Sequence, residues 1–472
     1  MLETQYLYQQ VAESITSLID AGALKPGDKV PSVRGLSKQL SVSISTVLEA
    51  YRRLEDAGFI YSRPQSGYYV RAKQLGLREP PVSTPARRTI SPDVTDLVLR
   101  IIRAAHDPAI LPLGAAVPSA EFFPSKKLNR TLARTVRHPS ATSNIYGPIA
   151  GNNALRKQIA KRMLHAGCTI KPEEIIVTSG AQEAVYLSLR ASTKPGDTVI
   201  VESPTYYALL QVLESLSLKV REIATDPRDG ICVEDVEKAL KDGSVSALVL
   251  CPTFGNPLGH AMPEERRKEL LEICQKAKVA IIEDDIYGEL SHDGKRPRAL
   301  KAFDKGGNVL LCSSFSKTLA PGYRVGWVIP SRFRETIEKL KFGISVATAG
   351  PTQLAVAEFL ASGGYEHHLR GLRRTYRDLV AKFRQAIAEH FTKGTMVSKP
   401  EGGHVLWVCL PSHVDAMAIY EAALERQISI MPGPLFTATK GYGNYIRLNC
   451  AVTWSPRVEL ALETLGQLVK TQ

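Results

Sequence analysis

The stretch SSFSKTLAPGYRVGW, residues 313–327, decides how the rest of this chain is interpreted. It places Lys317 directly after a Ser-x-Ser triplet, and Arg324 follows among small, turn-forming and apolar residues. The stretch overlaps the end of the apolar run NVLLCSS, which has the pattern of a buried strand. Because ligands bind at the carboxyl ends of the strands in parallel sheets, the stretch predicts a ligand site that contains Lys317 and Arg324.

Other apolar runs end in polar residues in the same way, and each is followed by a helical stretch or a loop. Such runs indicate a parallel sheet covered on both faces. After the run IIVT, a helix begins whose free N–H groups could seat a phosphate. The residues that we expect to meet at the carboxyl edge of the sheet are Gly180, Ala181, Gln182, Tyr206, Asn256, Asp284, Tyr287, Ser314, Ser316, Lys317 and Arg324.

One end of this predicted site suits a phosphate that carries an aldehyde. The amine of Lys317 can bond covalently to an aldehyde, with its pKa lowered by burial and by Arg324. Ser314, Ser316 and Arg324, with the helix that starts near Ala181, would hold the phosphate. A lysine by itself is usually a solvated surface residue, so the prediction depends on the whole set at the strand ends.

The other residues of the set suit an aromatic ring. Asp284 would keep a pyridine nitrogen protonated, which makes the ring an electron sink. Asn256 and Tyr287 would bond a hydroxyl on the ring, and Tyr206 could lie flat on it. Each has an ordinary alternative, since an aspartate often caps a helix and a tyrosine such as Tyr206 often belongs to the core.

This arrangement resembles fold-type I aminotransferases that use pyridoxal 5′-phosphate, over about residues 110–470. The Ser-x-Ser-Lys motif with its downstream arginine is the strongest match. The segment YGPIAGNNALRKQIA also matches, and in the family its tyrosine, Tyr146 here, reaches the phosphate of the other subunit of a homodimer. The segment NYIRLNCA implies that Arg447 pairs with a substrate carboxylate. Relatives often have serine where this chain has Ala181.

The first 72 residues have a different pattern. Helical periodicity predicts three helices, and Ser32 and Ser43 can cap the second and the third. Two short strands around residues 64–67 follow, and the whole pattern predicts a winged helix-turn-helix. From the helical pattern alone, a protein-binding or dimerisation domain is as good an interpretation as a DNA-binding one. The residues placed to contact DNA phosphates or base edges are Arg34, Ser43, Ser45, Thr46, Arg63 and Gly67.

The segment PGDKVPSVRGLSKQLSVSISTVLEAYRRLEDAGFIYSRPQSGYYV resembles the GntR-type winged-helix DNA-binding domain nearly from end to end. The family pattern of Pro-Gly, Pro-Ser-x-Arg, a small-residue helix cap and a glycine-bearing wing is present. Where the family often has arginine after the cap serine, this chain has Ile44. The resemblance implies a double-stranded DNA partner, with an operator that differs accordingly.

Residues 73–93, KQLGLREPPVSTPARRTISPD, are predicted to be a linker because they are rich in proline, serine, threonine and arginine. This gives three parts: a DNA-binding domain at 1–72, the linker, and an aminotransferase-like α/β domain at 94–472. We expect the last to comprise a large part, about 110–345, and a smaller α+β part, about 346–472.

Composition limits the classes of function. The chain has 472 residues, 44% of them hydrophobic, and a formal charge of +13. Only 12 Lys and Arg against 8 Asp and Glu lie in residues 1–90, so charge alone supports nucleic-acid binding weakly. No apolar run reaches the roughly 18 residues of a membrane span. Seven cysteines without a Cys-x-x-Cys pair predict reduced thiols, no metal and a cytoplasmic location.

The two parts together resemble GntR-type regulators of the MocR subfamily, in which an aminotransferase-like domain serves as the sensor of a DNA-binding domain. The resemblance implies a transcriptional regulator that binds pyridoxal phosphate and responds to the cofactor, an amine or an amino acid, with weak or no transaminase activity. The alternative is a working aminotransferase with an appended DNA-binding domain, because the residues for catalysis are all present.

Overall fold

The computed structural model describes residues 7–63, 66–70, 76–92, 95–104, 107–137, 145–439 and 441–472. These residues form two compact units, Met1–Leu77 and Arg78–Gln472. Each unit has a hydrophobic core of its own. Among the described residues, no helix combines the length and the apolar character needed to cross a bilayer. All seven cysteines are free thiols.

The first unit contains three helices and a hairpin. Its elements are α1 (Leu7–Asp20), α2 (Val33–Leu40), α3 (Ile44–Asp56), β1 (Ile60–Arg63) and β2 (Gly67–Val70), with β1 and β2 antiparallel. The side chains of Ser32 and Ser43 accept hydrogen bonds from the first turns of α2 and α3, as predicted. Val47, Tyr51 and Leu54 of α3 are buried in the core of the unit, so the opposite side of this helix faces solvent.

The second unit alternates strands and helices. Its helices are α4 (Thr95–Ala104), α5 (Ser125–Arg137), α6 (Asn153–Met163), α7 (Ala181–Ser192), α8 (Tyr207–Ser215), α9 (Val233–Lys241), α10 (Glu264–Lys276), α11 (Arg334–Ser345), α12 (Gly350–Ala361), α13 (Gly364–His390), α14 (Ala416–Glu425) and α15 (Pro456–Thr471). Its strands are β3 (Leu111–Pro112), β4 (Ile176–Thr178), β5 (Thr198–Ser203), β6 (Lys219–Asp226), β7 (Gly230–Ile231), β8 (Val245–Leu250), β9 (Ala280–Asp284), β10 (Val309–Ser314), β11 (Gly326–Ile329), β12 (Met396–Val397), β13 (Val405–Cys409), β14 (Ile428–Ser429), β15 (Met431–Pro432) and β16 (Tyr445–Asn449).

The large sheet has the strand order β4-β11-β10-β9-β8-β5-β6-β7. The predicted parallel arrangement is correct for β10, β9, β8, β5 and β6, but the sheet as a whole is mixed. Strand β11 runs antiparallel to both of its neighbours, and β7 runs antiparallel to β6. The chain returns from β10 to β11 through residues 315–325, which is too short for the helical crossover that a parallel pair needs. This return loop carries Lys317 and Arg324.

A second sheet lies in the C-terminal part of the chain, with the order β12-β13-β16-β15. Strand β3, from the start of the unit, pairs with β14, and the backbone N–H of Asn449 donates to Leu113 at 2.8 Å. The residues just after β3 are thereby held beside β16, which carries Arg447. The subdivision of the aminotransferase-like domain near residue 345 stays a prediction.

The described part of the predicted linker is docked on the second unit. The backbone and hydroxyl of Ser83 both bond to the backbone of Thr225 on β6, and Ile90 exchanges two backbone hydrogen bonds with Val220. Glu79 forms an ion pair with Arg228 at 2.8 Å. These contacts give hydrogen-bond partners to backbone groups of β6 that would otherwise be exposed. We call residues 78–92 the docked segment.

Candidate functional sites

A cavity of about 190 Å³ lies where the parallel strands of the large sheet end. Its wall is formed by residues that follow β4, β5, β8, β9 and β10, because parallel strands bring their carboxyl ends to one edge. Nine of the residues selected from the sequence line it: Ala181, Gln182, Tyr206, Asn256, Asp284, Tyr287, Ser316, Lys317 and Arg324. The chain thus brings together side chains that are separated by up to about 140 residues in sequence.

Lys317 projects into this cavity from the loop between β10 and β11. Its Nζ donates a hydrogen bond to the carbonyl oxygen of Ala116 at 2.7 Å. Burial lowers the pKa of the Lys317 amine to about 8, and the positive charges of Arg447 and, to a smaller degree, Arg324 act in the same direction, against Asp284. The sequence predicted this effect for Arg324, whereas Arg447 has the larger influence. With this pKa, a minor part of the amine is neutral and nucleophilic near neutral pH.

Asp284 is the last residue of β9, and its side chain lines the cavity. The Oδ1 atom accepts a hydrogen bond from the backbone N–H of Ile286 at 3.2 Å. Burial raises the pKa of Asp284 to about 7, and the neighbouring carboxylate of Asp285 raises it further, whereas Lys317 opposes the shift. A cation placed against this carboxylate would favour its charged form. Asp284 is therefore a suitable partner for a protonated ring nitrogen.

The guanidinium of Arg324 lies at the start of α7. Its Nη2 donates to the carbonyl of Ser179 at 2.8 Å, and its Nη1 lies 3.4 Å from Ser316 Oγ. A Cβ atom at Gly180 would come within 2.3 Å of Arg324 Nη2, and Gly180 has a φ of +92°, so only glycine fits there. Free N–H groups at a helix start, an arginine and a hydroxyl are the groups that bind phosphate.

Ser314 is the last residue of β10, directly before the loop that carries Lys317. Its Oγ accepts a hydrogen bond from the backbone N–H of Ser316 at 3.2 Å, and the side chain is buried. It is not among the described residues that line the cavity, and its assignment to the phosphate stays a prediction.

Arg447 lies on β16 and is fully buried. Its Nη1 donates to Asn256 Oδ1 at 3.2 Å, and its Nη2 donates to the carbonyl of Gly114. The Asn256 amide, which the sequence assigned to a ring hydroxyl, therefore also orients the arginine. The guanidinium and the Lys317 amine bond to carbonyls two residues apart on the same segment, Gly114 and Ala116. The Arg447 guanidinium and the Lys317 amine are therefore next to one short segment.

Tyr146, assigned by resemblance to the phosphate of a second subunit, is 85% exposed in this chain. It lies at the surface and is not among the residues that line the cavity. The preceding residue, Ile145, is also exposed.

Several cavity residues were not selected from the sequence. Glu202 and Cys251 come at the ends of β5 and β8, where the rule that identified the other residues would have found them, and Glu202 Oε2 accepts from the backbone N–H of Cys251 at 2.7 Å. The carbonyls of Gly114 and Ala116 belong to a segment without a motif, so the sequence carried no signal for them.

A second group of predicted residues lies on the first unit. Ser43 Oγ is 2.7 Å from the hydroxyls of both Ser45 and Thr46, which forms a hydroxyl cluster at the start of α3. Arg34 is exposed on α2. At the hairpin, the Arg63 guanidinium lies 4.3 Å from the centre of the Tyr69 ring, and Arg63 pairs with Gly67, whose φ is +106°. The hairpin tip at residues 64 and 65 lies outside the described residues.

Comparisons with known proteins match both units. The family described as "Aminotransferase class I and II" matches residues 115–465, and the family described as "Bacterial regulatory proteins, gntR family" matches residues 7–70. A protein named as an HTH-type transcriptional regulator, YjiR of Escherichia coli K12, is 39% identical over 98% of both chains. The chain is a GntR-type regulator of the MocR kind. The fold and the family resemblance predicted from the sequence are confirmed.

Solved structures match the second unit of this MocR-type chain. Kynurenine aminotransferase of Pyrococcus horikoshii is 30% identical, covers 79% of this chain and 94% of its own length, and has a TM-score of 0.73. LysN, an α-aminoadipate aminotransferase of Thermus thermophilus, is 26% identical with the same coverage and TM-score. LysN was crystallised with N-(5′-phosphopyridoxyl)-L-leucine. The second unit of the MocR-type chain therefore has the fold of pyridoxal-phosphate aminotransferases.

The residues of the cavity fit that cofactor. Gly180 and Arg324 form a close-packed corner that a Cβ atom would fill, and Asp284 is a half-buried carboxylate with a raised pKa. Lys317 is an amine with a lowered pKa in the same cavity. A phosphate, a ring nitrogen and an aldehyde would each meet a group of matching chemistry.

Proposed function

We propose that this protein is a cytoplasmic transcriptional regulator that binds double-stranded DNA through its first unit and senses pyridoxal 5′-phosphate, together with an amine or amino acid, through its second. The observation that carries the proposal is the presence in one chain of a GntR-type unit and of the cavity that contains Lys317, Asp284 and Arg324. The relative YjiR, similar over nearly its whole length, supports the regulatory role by its name.

The cofactor would be held by residues at three places in the cavity. Ser314, Ser316, Arg324 and the start of α7 would bind the phosphate. Asp284 would bind the ring nitrogen, Asn256 and Tyr287 the ring hydroxyl, and Tyr206 would lie flat on the ring. The cofactor, when bound, supplies an aldehyde that reacts reversibly with primary amines. Lys317 would hold it, and its lowered pKa keeps part of the amine neutral for that purpose.

An effector with a carboxylate would be recognised by Arg447. A buried guanidinium oriented by Asn256 binds a carboxylate through two parallel hydrogen bonds. To do so it would exchange the Gly114 carbonyl for the effector. Effector binding would therefore release the segment that follows β3 from this hydrogen bond, whereas attachment of the cofactor to Lys317 would already replace the hydrogen bond to Ala116.

The docked segment offers a path from this cavity toward the first unit. Ser203, adjacent to the cavity residue Glu202, donates its backbone N–H to Thr225 Oγ1 at 3.0 Å, and the Thr225 backbone N–H donates to Ser83 Oγ at 2.8 Å. The chain continues from the docked segment to the DNA-binding unit. We propose that effector binding changes the stability of this docking, and so the population of DNA-binding conformations.

A homodimer is part of the proposal. Tyr146 and Ile145 are exposed, as are Phe342 and Ile344 on α11, and a second copy would cover such apolar side chains. Two copies also suit DNA, because a pair of winged helices can contact two half-sites.

A working aminotransferase remains the second candidate, favoured by the complete set of Lys317, Asp284 and Arg447. The test uses the purified full-length protein in two assays: steady-state transamination with a panel of amino acids and 2-oxo acids, and footprinting on DNA upstream of its own gene. We expect protection of DNA and turnover far below the ordinary range of about 1–1000 per second. Turnover within that range without DNA protection would make the enzyme the correct function.

A further inference from the structure

Two apolar side chains stand next to each other on the solvent-facing side of α3. Ile44 is the first residue of the helix and Leu48 follows one turn later, so the two lie on one flank. Ile44 is 49% exposed and Leu48 is 45% exposed, whereas Val47, Tyr51 and Leu54 are buried in the core of the unit. The core thus takes its contacts from another face of α3, and the Ile44–Leu48 pair is left for a partner.

The two arginines of α3 are paired within the helix. Arg52 donates from Nε and Nη2 to Glu49 at 3.2 Å, and Arg53 donates from Nε to Glu49 at 3.1 Å. An arginine bidentate to guanine is the commonest base-specific contact in DNA complexes. Since both arginines of α3 already bond to Glu49, the groups that this helix offers at its first turns are hydroxyls and the apolar pair.

The surroundings of the pair indicate a polyanion. Arg34 and Lys38 are exposed on α2, and Arg63 stands on the hairpin. The hydroxyl cluster of Ser43 lies at the same end of α3 as Ile44. In the major groove, the only apolar group on the edge of a base is the C5-methyl of thymine. Charge and apolar surface together therefore match thymine-containing DNA better than a protein surface or a membrane.

We propose that Ile44 and Leu48 recognise thymine methyl groups in the major groove, so that the operator requires thymine at the positions that face the first two turns of α3. This inference rests on the proposed DNA-binding function and adds the base that it recognises. Arg34 and Arg63 bind phosphates and fix the orientation, whereas the apolar pair provides the preference for particular bases.

Replacing thymine by uracil tests this recognition, because it removes the methyl group and nothing else. The probe is the duplex that the full-length protein protects upstream of its own gene, synthesised once with thymine and once with uracil. We expect the uracil duplex to bind more weakly by about fourfold for each methyl group that the pair buries, or about fifteenfold for two. Both duplexes are measured at one salt concentration.

Variants of the pair separate a direct interaction from an effect of the methyl groups on DNA shape. Ile44→Ala and Leu48→Ala should each reduce the preference for thymine, and the double variant should bind both duplexes equally. Leu18→Ala is the matched control, since Leu18 is a leucine of the same unit with 43% exposure on α1. The Leu18→Ala variant should keep the preference of the original protein for the thymine duplex. A variant that binds DNA weakly is measured at lower salt, where binding is tighter and the ratio of its affinities for the two duplexes can be determined.

Equal binding of the two duplexes by the original protein would overturn the inference and leave DNA binding intact. So would an unchanged preference in the double variant, which would assign the effect to DNA shape. Failure to protect any duplex would instead contradict the proposed function itself.

Discussion

The two units carry their functional side chains in opposite environments. In the first, Arg34, Ser45 and Arg63 stand on the surface, and a phosphate backbone would be recognised by charges that solvent and salt screen. In the second, Arg447 is fully buried, and burial shifts the pKa values of Lys317 and Asp284. Binding at the first site should therefore depend on salt and binding at the second on pH, so each can be perturbed while the other is monitored.

The largest expected effect is the loss of covalent cofactor attachment when Lys317 is replaced. Borohydride treatment of the protein with pyridoxal phosphate should link the cofactor to the peptide that contains Lys317, and Lys317→Ala should abolish the link. Lys341 is a natural control, because its pKa is also lowered by burial, yet it bonds to Thr348 at 3.0 Å. Mass spectrometry that finds the cofactor on Lys341 would contradict the site.

The surface charges of the first unit should produce the next largest effect. Arg34→Ala and Arg63→Ala should each weaken binding to all DNA sequences, and each should reduce the steepness of the salt dependence by about one unit. Arg190→Ala, an exposed arginine on α7, is the control and should leave the slope as it is. An unchanged slope for Arg34→Ala, measured by binding isotherms at several salt concentrations, would mean that α2 does not contact phosphate.

The buried site should respond to pH through Lys317. The rate at which the cofactor-free protein binds pyridoxal phosphate should rise with pH around a midpoint of about 8, because the neutral amine is the reactive form. Arg447→Met removes a positive charge and should move the midpoint upward, toward the ordinary lysine value. Asp284→Asn removes a negative charge and should move it downward. Stopped-flow absorbance measures the midpoint, and shifts in the reverse directions would refute the electrostatic account.

The smallest effect should come from the docked segment. Ser83→Ala removes a hydrogen bond to Thr225, and such a bond contributes about 0.5–1.5 kcal/mol. It should therefore change the effect of an amine on DNA affinity by about two- to tenfold, while the cofactor spectrum stays unchanged. Thr84→Ala, at the neighbouring exposed position, is the control. Fluorescence anisotropy with labelled DNA measures the change in DNA affinity that the amine causes in each variant. The same change in the two variants would exclude transmission through Ser83.

Much of this architecture could be predicted because local patterns determine it. Apolar runs predicted β4, β5, β8, β9 and β10, and their ends predicted the residues of the cavity. The antiparallel β11 could not be predicted in this way, because strand direction depends on the length of the return through residues 315–325 and the runs themselves look alike. Serine residues predicted the N-terminal caps of α2 and α3 for the same local reason.

What the sequence could not provide were contacts between distant segments. The carbonyls of Gly114 and Ala116 approach Arg447 and Lys317 only because β3 pairs with β14, and no side-chain pattern marks a backbone carbonyl. The docking of Ser83 on Thr225 is of the same kind. The proline-rich composition of residues 73–93 predicted a linker, because composition indicates the lack of a helix or a buried strand. It carries no information about pairing with a distant strand.

The most direct test of the central claim is a linked titration of the full-length, cofactor-loaded protein with DNA and with an amino acid. The amino acid should change DNA affinity by a factor on the order of 5–150, and DNA should change the affinity for the amino acid by the same factor. Arg447→Met should remove both changes for amines with a carboxylate while retaining the cofactor. DNA affinity that is indifferent to every amine and to the cofactor, beside ordinary transaminase turnover, would contradict the central claim.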